Sequence, residues 1–384
     1  MGTTSETATT VTETGRIYAL VLKVAELCNL NCSYCYMYNH EDKSYLRRPK
    51  QMSDQVFDWV LQRVVEHCDR QAPHRMSLSF HGGEPTLIGV QRFSQLVSRA
   101  TSVLGGRLDN IKLQTNAVLI DDEWVDALRE QQVHVGVSID GPPGMHDRWR
   151  VDHAGRGSHA ATVAGIERLQ AGGINPMILS VISPGADGVS TYRHFRSLGI
   201  DRMAYLIPDV THDSRDRLYG GLGSTPVADY LIPIFDEWMA EDDPNVYVRP
   251  FWGLIRTMLN GDGETDVFGN PPLSYLVIES DGEIEGLDAL HVCKEGIARS
   301  GLNVSRNGFD DFTKAEPFVR QCLGSGIPLS ATCVQCPQCA ICGGGYLPHR
   351  YSSLNGFDNP SVWCADILAM LSHIRARVDT TSIE

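Results

Sequence analysis

The chain has 384 residues and 42% hydrophobic content, enough for one large core plus an appendage, and it carries a formal net charge of -14. That charge excludes an extended phosphate-binding face, so nucleic acid is not an expected partner, although a local basic pocket is compatible with it. No window reaches the roughly 20 continuous apolar residues of a spanning helix. Residues 1–15 form a polar Thr/Glu-rich tail without a signal-peptide core, so neither a membrane nor export is expected. Eleven cysteines in such a chain point to thiolate ligands in a reducing, cytoplasmic compartment rather than to disulfides.

From Tyr18 to Val24, an aliphatic and β-branched run reads as a buried strand. It feeds Cys28-Asn29-Leu30-Asn31-Cys32-Ser33-Tyr34-Cys35. Cysteines at C-x3-C-x2-C spacing on a loop leaving a strand suit three irons of a [4Fe-4S] cube, because thiolate is the soft ligand such clusters select. The fourth iron would then lack a protein ligand. A zinc knuckle or a structural cysteine cluster is the competing reading.

Ser53 reads as the N-cap of a helix over Asp54 to Cys68, whose stripe Val56, Val60, Val64 and Cys68 makes Cys68 a packed core thiol. A second strand, Met76 to Phe80, runs into His81-Gly82-Gly83-Glu84-Pro85-Thr86, where two glycines permit close backbone approach. A helix around Phe93 to Leu104 follows. The alternation then continues with strands Ile111–Thr115, Val133–Ile139, Met177–Ser183 and Arg202–Ile207, separated by helices Asp122–Glu130, His159–Ala171 and Thr191–Leu198. Six strands alternating with helices imply a parallel sheet with right-handed crossovers. Asn116, Ser138 and Leu206 fall at strand ends, where such barrels gather their active residues. Asp140, in Asp140-Gly141-Pro142, suits a turn as well as a reaction.

Two helices, Pro226–Ala240 and Pro250–Leu259, read as bridging elements, and Tyr275–Glu279 with Glu283–Glu285 flanks Ser280-Asp281-Gly282 as a β-hairpin. A second dense constellation closes the chain: Cys333, Cys336, Cys339 and Cys342, followed by Gly343-Gly344-Gly345-Tyr346 and answered by Cys364 before a final helix. Cys333, Cys336, Cys342 and Cys364 are four candidate ligands of a closed site, and Cys339 could replace one of them. Zinc competes here as well, since Cys-x2-Cys pairs suit tetrahedral coordination. Cys293 and Cys322 read as packed thiols, with ligands of an atypical cluster or substrate-contacting groups as the alternatives.

The triad with its open iron, Tyr34 before the third cysteine, and the Gly82-Gly83-Glu84-Pro85 segment resemble the radical S-adenosylmethionine (SAM) enzymes. The resemblance implies a partial (β/α)6 TIM-type barrel with a C-terminal SPASM-like extension. It also implies SAM on the open iron, with Gly82, Gly83 and Glu84 lining its methionyl amine. Tyr34, Asn116 and Ser138 would approach the cofactor, and Arg150 would meet its carboxylate. The tail thiols resemble a SPASM auxiliary [4Fe-4S] site. Full SPASM domains place further ligands where this chain has Tyr346 and, near the hairpin, Leu287, so a second auxiliary cluster is not expected.

Residues 342–366, with Asp281–Glu285 and Asp288-Ala289-Leu290, are similar to the FxsB-like maturases that install cyclophane crosslinks in ribosomally made peptides. The similarity spans roughly residues 16–378. It implies a tail (1–15), a radical SAM barrel (16–225), bridging helices (226–274) and an auxiliary-cluster domain (275–384). It further implies a precursor peptide as substrate and a one-electron reductant such as ferredoxin or flavodoxin. The short stretch before Tyr18 leaves leader recognition to the barrel face, the extension or a separate leader-binding protein. His349, Arg350 and Tyr346 lie in the loop nearest the auxiliary thiols and are candidates to touch substrate or, equally, to play a solvated or supporting structural role. Alternative functions are a SPASM dehydrogenase or epimerase acting on a small molecule such as a sugar, and a non-catalytic iron-sulfur or zinc protein.

Overall fold

The computed structural model of the chain describes residues 17–71, 74–259, 267–269, 273–324 and 326–381. The tail expected over residues 1–15 lies outside them. Seven strands run parallel and in sequence order across one sheet: β1 Ala19–Ala25, β2 Met76–Gly82, β3 Leu108–Thr115, β4 His134–Ser138, β5 Met177–Val181, β6 Arg202–Leu206 and β7 Tyr247–Val248. Helices Asp54–Arg70, Val90–Leu104, Asp122–Glu130, His159–Ala171 and Gly188–Ser197 return the chain between the first six. This is the partial barrel of parallel strands that the alternation implies.

Local chemistry sets the helix starts. Ser53 Oγ accepts from the Val56 amide at 3.2 Å, and Asp121 Oδ1 accepts from the Trp124 amide at 3.0 Å, each satisfying a donor that the first helical turn leaves open. The apolar faces of these helices meet the sheet through a run of rings, with Phe80 5.0 Å from Phe93 and Phe93 5.2 Å from Trp124, centroid to centroid. Cys68 sits in this core as a packed thiol.

The sheet has ten strands among the described residues: the six of the alternation, the two of the expected hairpin, and β7 and one further strand besides. Besides β7, the hairpin β8 Tyr275–Ile278 and β9 Glu283–Glu285, followed by β10 Arg299–Asn303, extends it on the other side. β8 pairs in parallel with β1, Ala19 opposite Tyr275 and Leu22 opposite Ile278. The hairpin therefore covers the edge that β1 would otherwise present to solvent, the usual remedy for an unpaired strand.

That junction buries charge. Arg48 reaches Glu285 at 2.6 Å, Glu279 at 3.1 Å and Glu283 at 3.3 Å, and His291 pairs with Glu285 at 3.0 Å. Lys23 of β1, fully buried, meets Asp288 at 2.7 Å. Among the described residues, no helix is long and apolar enough to cross a membrane.

Candidate active site

The loop after β1 is held in place by backbone. Asn31 donates to the Val151 carbonyl at 2.7 Å and Ser33 to the Trp149 carbonyl at 3.0 Å, while the Cys35 amide returns to Cys32 at 2.9 Å. Cys28, Cys32 and Cys35 all line one cavity of about 340 Å³ at the carboxyl ends of the strands. The Leu30 amide points at Cys28 Sγ from 3.4 Å, and Asn116 Nδ2 stands 3.9 Å from the same sulfur. Burial pushes the Cys28 thiol up to about 12 and the Cys35 thiol up to about 11, and raises Cys32 despite the attraction of Arg150. Such thiols ionise readily only when a metal replaces their protons.

The two glycines after β2 exist because the cysteine loop lies against them. Gly82 has φ +128°, and a Cβ there would strike the Ala25 carbonyl; one on Gly83 would strike the Tyr38 hydroxyl and the Leu27 carbonyl. The adjoining amides complete the contact, Gly83 donating to Ala25 at 2.8 Å and Glu84 to Leu27 at 2.9 Å. Glu84 itself is buried and fully engaged. Its carboxylate accepts from Thr86 Oγ1, Thr115 Oγ1 and the Asn116 amide, each at 2.7 Å, so it ties the end of β3 to the end of β2.

Asn116, Ser138 and Arg150 line the same cavity. Asn116 Nδ2 donates to Asn29 Oδ1 at 2.7 Å, and Ser138 Oγ accepts from Gln114 at 2.9 Å. The Arg150 guanidinium donates to the Tyr34 hydroxyl at 2.8 Å, and Tyr34 in turn donates to Asp140. Asp140 is buried and also accepts from the Val181 amide at 3.0 Å, so its role is to join the ends of β4 and β5 beside the cysteine loop, beyond shaping a turn.

The outer part of the cavity was not legible in the motifs. Tyr36, Tyr38, His81, Gln114, Tyr205, Asp209, Arg249, Phe268 and Met370 contribute to it together with Tyr346 and His349. Tyr36 and Tyr38 carried a usable signal, being aromatics within three residues of Cys35; Arg249 and Met370 sit in ordinary helical sequence and carried none. Arg350, by contrast, turns away and is buried on the Phe357 carbonyl at 3.1 Å and the Pro328 carbonyl.

The tail thiols gather at the far side. Cys333 is buried and Cys336, Cys339, Cys342 and Cys364 are half-buried, all unpaired by disulfides. Burial pushes the Cys342 thiol up to about 11, with Cys364, Cys333 and Cys336 near enough to add to it; Cys364 is raised by burial and by the same two neighbours. Gly343, Gly344 and Gly345 all have positive φ (61°, 83° and 75°), which folds the chain back from Cys342 so that Tyr346 and His349 enter the cavity. Among the described residues, only Glu279, Glu285 and His291 bring three potential metal-binding atoms all within 4.8 Å, and Arg48 already neutralises that trio. Neither cysteine set closes that far. Cys293 and Cys322 are buried, and burial pushes Cys322 up to about 12; Cys293 Sγ contacts the Pro348 carbonyl at 3.9 Å.

Residues 22–213 match the Radical SAM superfamily. The chain belongs to it. Membership brings a [4Fe-4S] cluster and SAM as cofactors, and the cysteine-rich C-terminal region fits an auxiliary cluster. This radical SAM enzyme is 26% identical over 335 residues to the cysteine-type anaerobic sulfatase-maturating enzyme of Clostridium perfringens (strain 13 / Type A), covering 85% of this chain and 88% of the relative. Its fold resembles native anSMEcpe with bound AdoMet, at TM-score 0.80 and 22% identity over 96% of this chain and 100% of that one. It also resembles Streptococcus suis SuiB bound to precursor peptide SuiA, at TM-score 0.62 and 15% identity over 91% of this chain and 76% of that one.

Proposed function

We propose that this radical SAM enzyme oxidatively crosslinks a ribosomally synthesised precursor peptide in the cytoplasm, joining a β-carbon to an aromatic ring. One observation carries the reading: a single cavity is lined at one end by Cys28, Cys32 and Cys35 and at the other by Tyr346 and His349, on the loop between Cys342 and Cys364. A substrate seated there faces the triad and the loop that follows Cys342. Its outer wall of Tyr36, Tyr205, Phe268, Leu231 and Met370 suits an aromatic side chain. Relatives that act on peptides or proteins support the substrate class.

In this reading Cys28, Cys32 and Cys35 hold the SAM-binding cluster, and Cys333, Cys336, Cys342 and Cys364 hold the auxiliary one. Tetrahedral zinc at about 2.3 Å per bond would need sulfurs about 3.8 Å apart. No three of the tail sulfurs all lie within 4.8 Å of one another, which favours separate irons over one zinc. SAM fits beside the triad, where the backbone of Gly82 and Gly83 and the polar rim of Asn116, Ser138, Tyr34 and Arg150 offer a cradle.

The bound cofactor supplies a 5′-deoxyadenosyl radical, while the protein supplies orientation and a dry pocket. Asn116, through Asn29, fixes the loop carrying Cys28; Arg150 presents positive charge to the methionyl carboxylate, held in place by Tyr34 and Asp140. Electrons come from a ferredoxin or flavodoxin, and leader recognition falls to the barrel face, the extension or a separate protein. The test is anaerobic incubation of the reconstituted enzyme with aromatic-rich precursor peptides encoded nearby. A product lacking two hydrogens, resistant to fragmentation between the joined residues and inert to aldehyde reagents, is expected. An aldehyde-bearing product would instead assign sulfatase-type side-chain oxidation, and turnover of a sugar would overturn the peptide reading.

A further inference from the structure

His349 is 1% exposed, and neither of its ring nitrogens makes a well-formed hydrogen bond among the described residues, although the Pro208 carbonyl lies close enough to act on the ring. Buried polar atoms are nearly always satisfied, so one that is not is open to a water or to a group of a bound ligand. Here the imidazole lines the cavity, with Asp209 Oδ1 3.8 Å from Nε2 and the Tyr346 ring edge-on at a centroid distance of 5.3 Å. Burial pushes the ring's pKa down to about 3, with His212 adding to the effect and the Pro208 carbonyl opposing it, so the resting imidazole is neutral and takes a proton only from a strong acid, such as the ring C–H released as aromaticity returns. Asp209, on the cavity wall, is placed to stabilise the imidazolium that results.

A second carboxylate stands near the site, but it is poorly suited to the task. Asp288 accepts from Lys23 and Tyr36, both at 2.7 Å, and that pairing holds its carboxyl well below the usual carboxylate range against the effect of burial. Unlike His349 and Asp209, Asp288 does not line the cavity.

We infer that His349, backed by Asp209, is the group that receives the proton released when the crosslinked ring regains aromaticity. The inference rests on the crosslinking reading above. The hydrogen atom of the β-carbon leaves in 5′-deoxyadenosine, and the bond between the β-carbon and a ring carbon forms. The C–H bond at that ring carbon then breaks, its proton passing to the imidazole and its electron to a one-electron iron-sulfur acceptor. His349 lies on the loop between two of the auxiliary thiols, Cys342 and Cys364.

The experiment compares wild-type holoenzyme with His349→Gln, His349→Ala and Asp209→Asn. Peptide affinity is measured by fluorescence anisotropy on the SAM-loaded, unreduced enzyme, and 5′-deoxyadenosine and crosslinked peptide are quantified after reduction. Expected are peptide affinities within about twofold of wild type, continued 5′-deoxyadenosine formation, and a ratio of product to 5′-deoxyadenosine lowered about a hundredfold in the His349 variants and about tenfold in Asp209→Asn. Added imidazole should restore part of the ratio in His349→Ala. An unchanged ratio, or affinity falling in step with product, overturns the inference. If the His349 variants do not fold, an undiminished ratio in Asp209→Asn overturns it alone. Wild-type enzyme that makes 5′-deoxyadenosine but no crosslink sinks the crosslinking reading and this inference together; wild-type crosslinking with indifferent His349 variants sinks the inference only.

Discussion

Lys23 on β1 and Asp288, just past β9, form an ion pair at 2.7 Å with the lysine wholly buried, and Tyr36 donates to the same carboxylate oxygen. Burial alone would lower the lysine, but Asp288 and Glu279 outweigh it and hold it up at about 12. The pair joins the barrel to the hairpin segment beside the cysteine loop. Removing one partner leaves the other charged and buried, so Lys23→Met should destabilise the protein by about 3–5 kcal/mol, whereas Lys23→Met with Asp288→Leu should recover most of that. Thermal denaturation midpoints of the two variants decide it.

The pH dependence of the same pair follows from the two shifts. A lysine raised above its ordinary value of 10.5 contributes stability that is complete below that value and is lost as pH climbs through about 12. Asp288, lowered by Lys23, contributes stability present above its ordinary 3.8 and lost only as pH falls through its depressed value. Wild type minus Lys23→Met stability should therefore stay flat from about pH 5 to 9 and shrink above pH 10.5. A difference that declines steadily between pH 6 and 8 would show that another group dominates.

Gly83 tests why the glycine pair is there. A methyl group at this position meets the Tyr38 hydroxyl and the Leu27 carbonyl, the second of which is backbone and cannot swing away. Gly83→Ala should push the cysteine loop off its seat and cost the triad its cluster, while the tail set keeps its own. Iron per chain should fall from about eight to about four. Restoring space by Tyr38→Phe should not rescue it, because the Leu27 clash remains; full iron in Gly83→Ala would show that the loop yields.

Iron and zinc analysis also separates the tail ligands. Cys339→Ser should leave about eight irons, since Cys333 and Cys336 are the neighbours that add to the effect of burial on both Cys342 and Cys364, whereas Cys342→Ser or Cys364→Ser should lower the count. About four irons with one zinc would make the tail structural. About twelve irons would bring Cys293, Cys322 or Cys339 into a further cluster.

The motif-bearing half of this site was readable because its chemistry is local. Three thiols within eight residues, or two glycines at a strand end, need no knowledge of what lies across the fold. Helices Asp122–Glu130 and His159–Ala171 also fall where the apolar stripe and the flanking polar residues put them. β7 was missed because two residues carry no periodicity, and the parallel pairing of β8 with β1 joins segments about 250 residues apart, a relationship no local pattern encodes. For the same reason Asp209, Arg249 and Met370 were invisible as cavity residues, and Asp140 looked like turn chemistry until Tyr34 and Arg150 met it in space.

Arg150 offers the sharpest test of the cofactor cradle. One guanidinium nitrogen donates to Tyr34, while Nε has no partner among the described residues although it is buried. If that donor side meets the SAM carboxylate, Arg150→Met should weaken SAM binding by about 1.5–3 kcal/mol, roughly tenfold to a hundredfold, with little change in iron content. Arg150→Lys should recover only part, because an ammonium keeps the charge but loses the planar fork. The rival account makes Arg150 a counter-ion for the buried Asp140, whose charge burial disfavours. Under it, adding Asp140→Asn to Arg150→Met would return SAM affinity to wild type, since no buried charge is left unpaired. Under the cradle account affinity stays low in the double variant, because neutralising Asp140 supplies no donor for the carboxylate. Calorimetric SAM titration of the reconstituted single and double variants distinguishes the two.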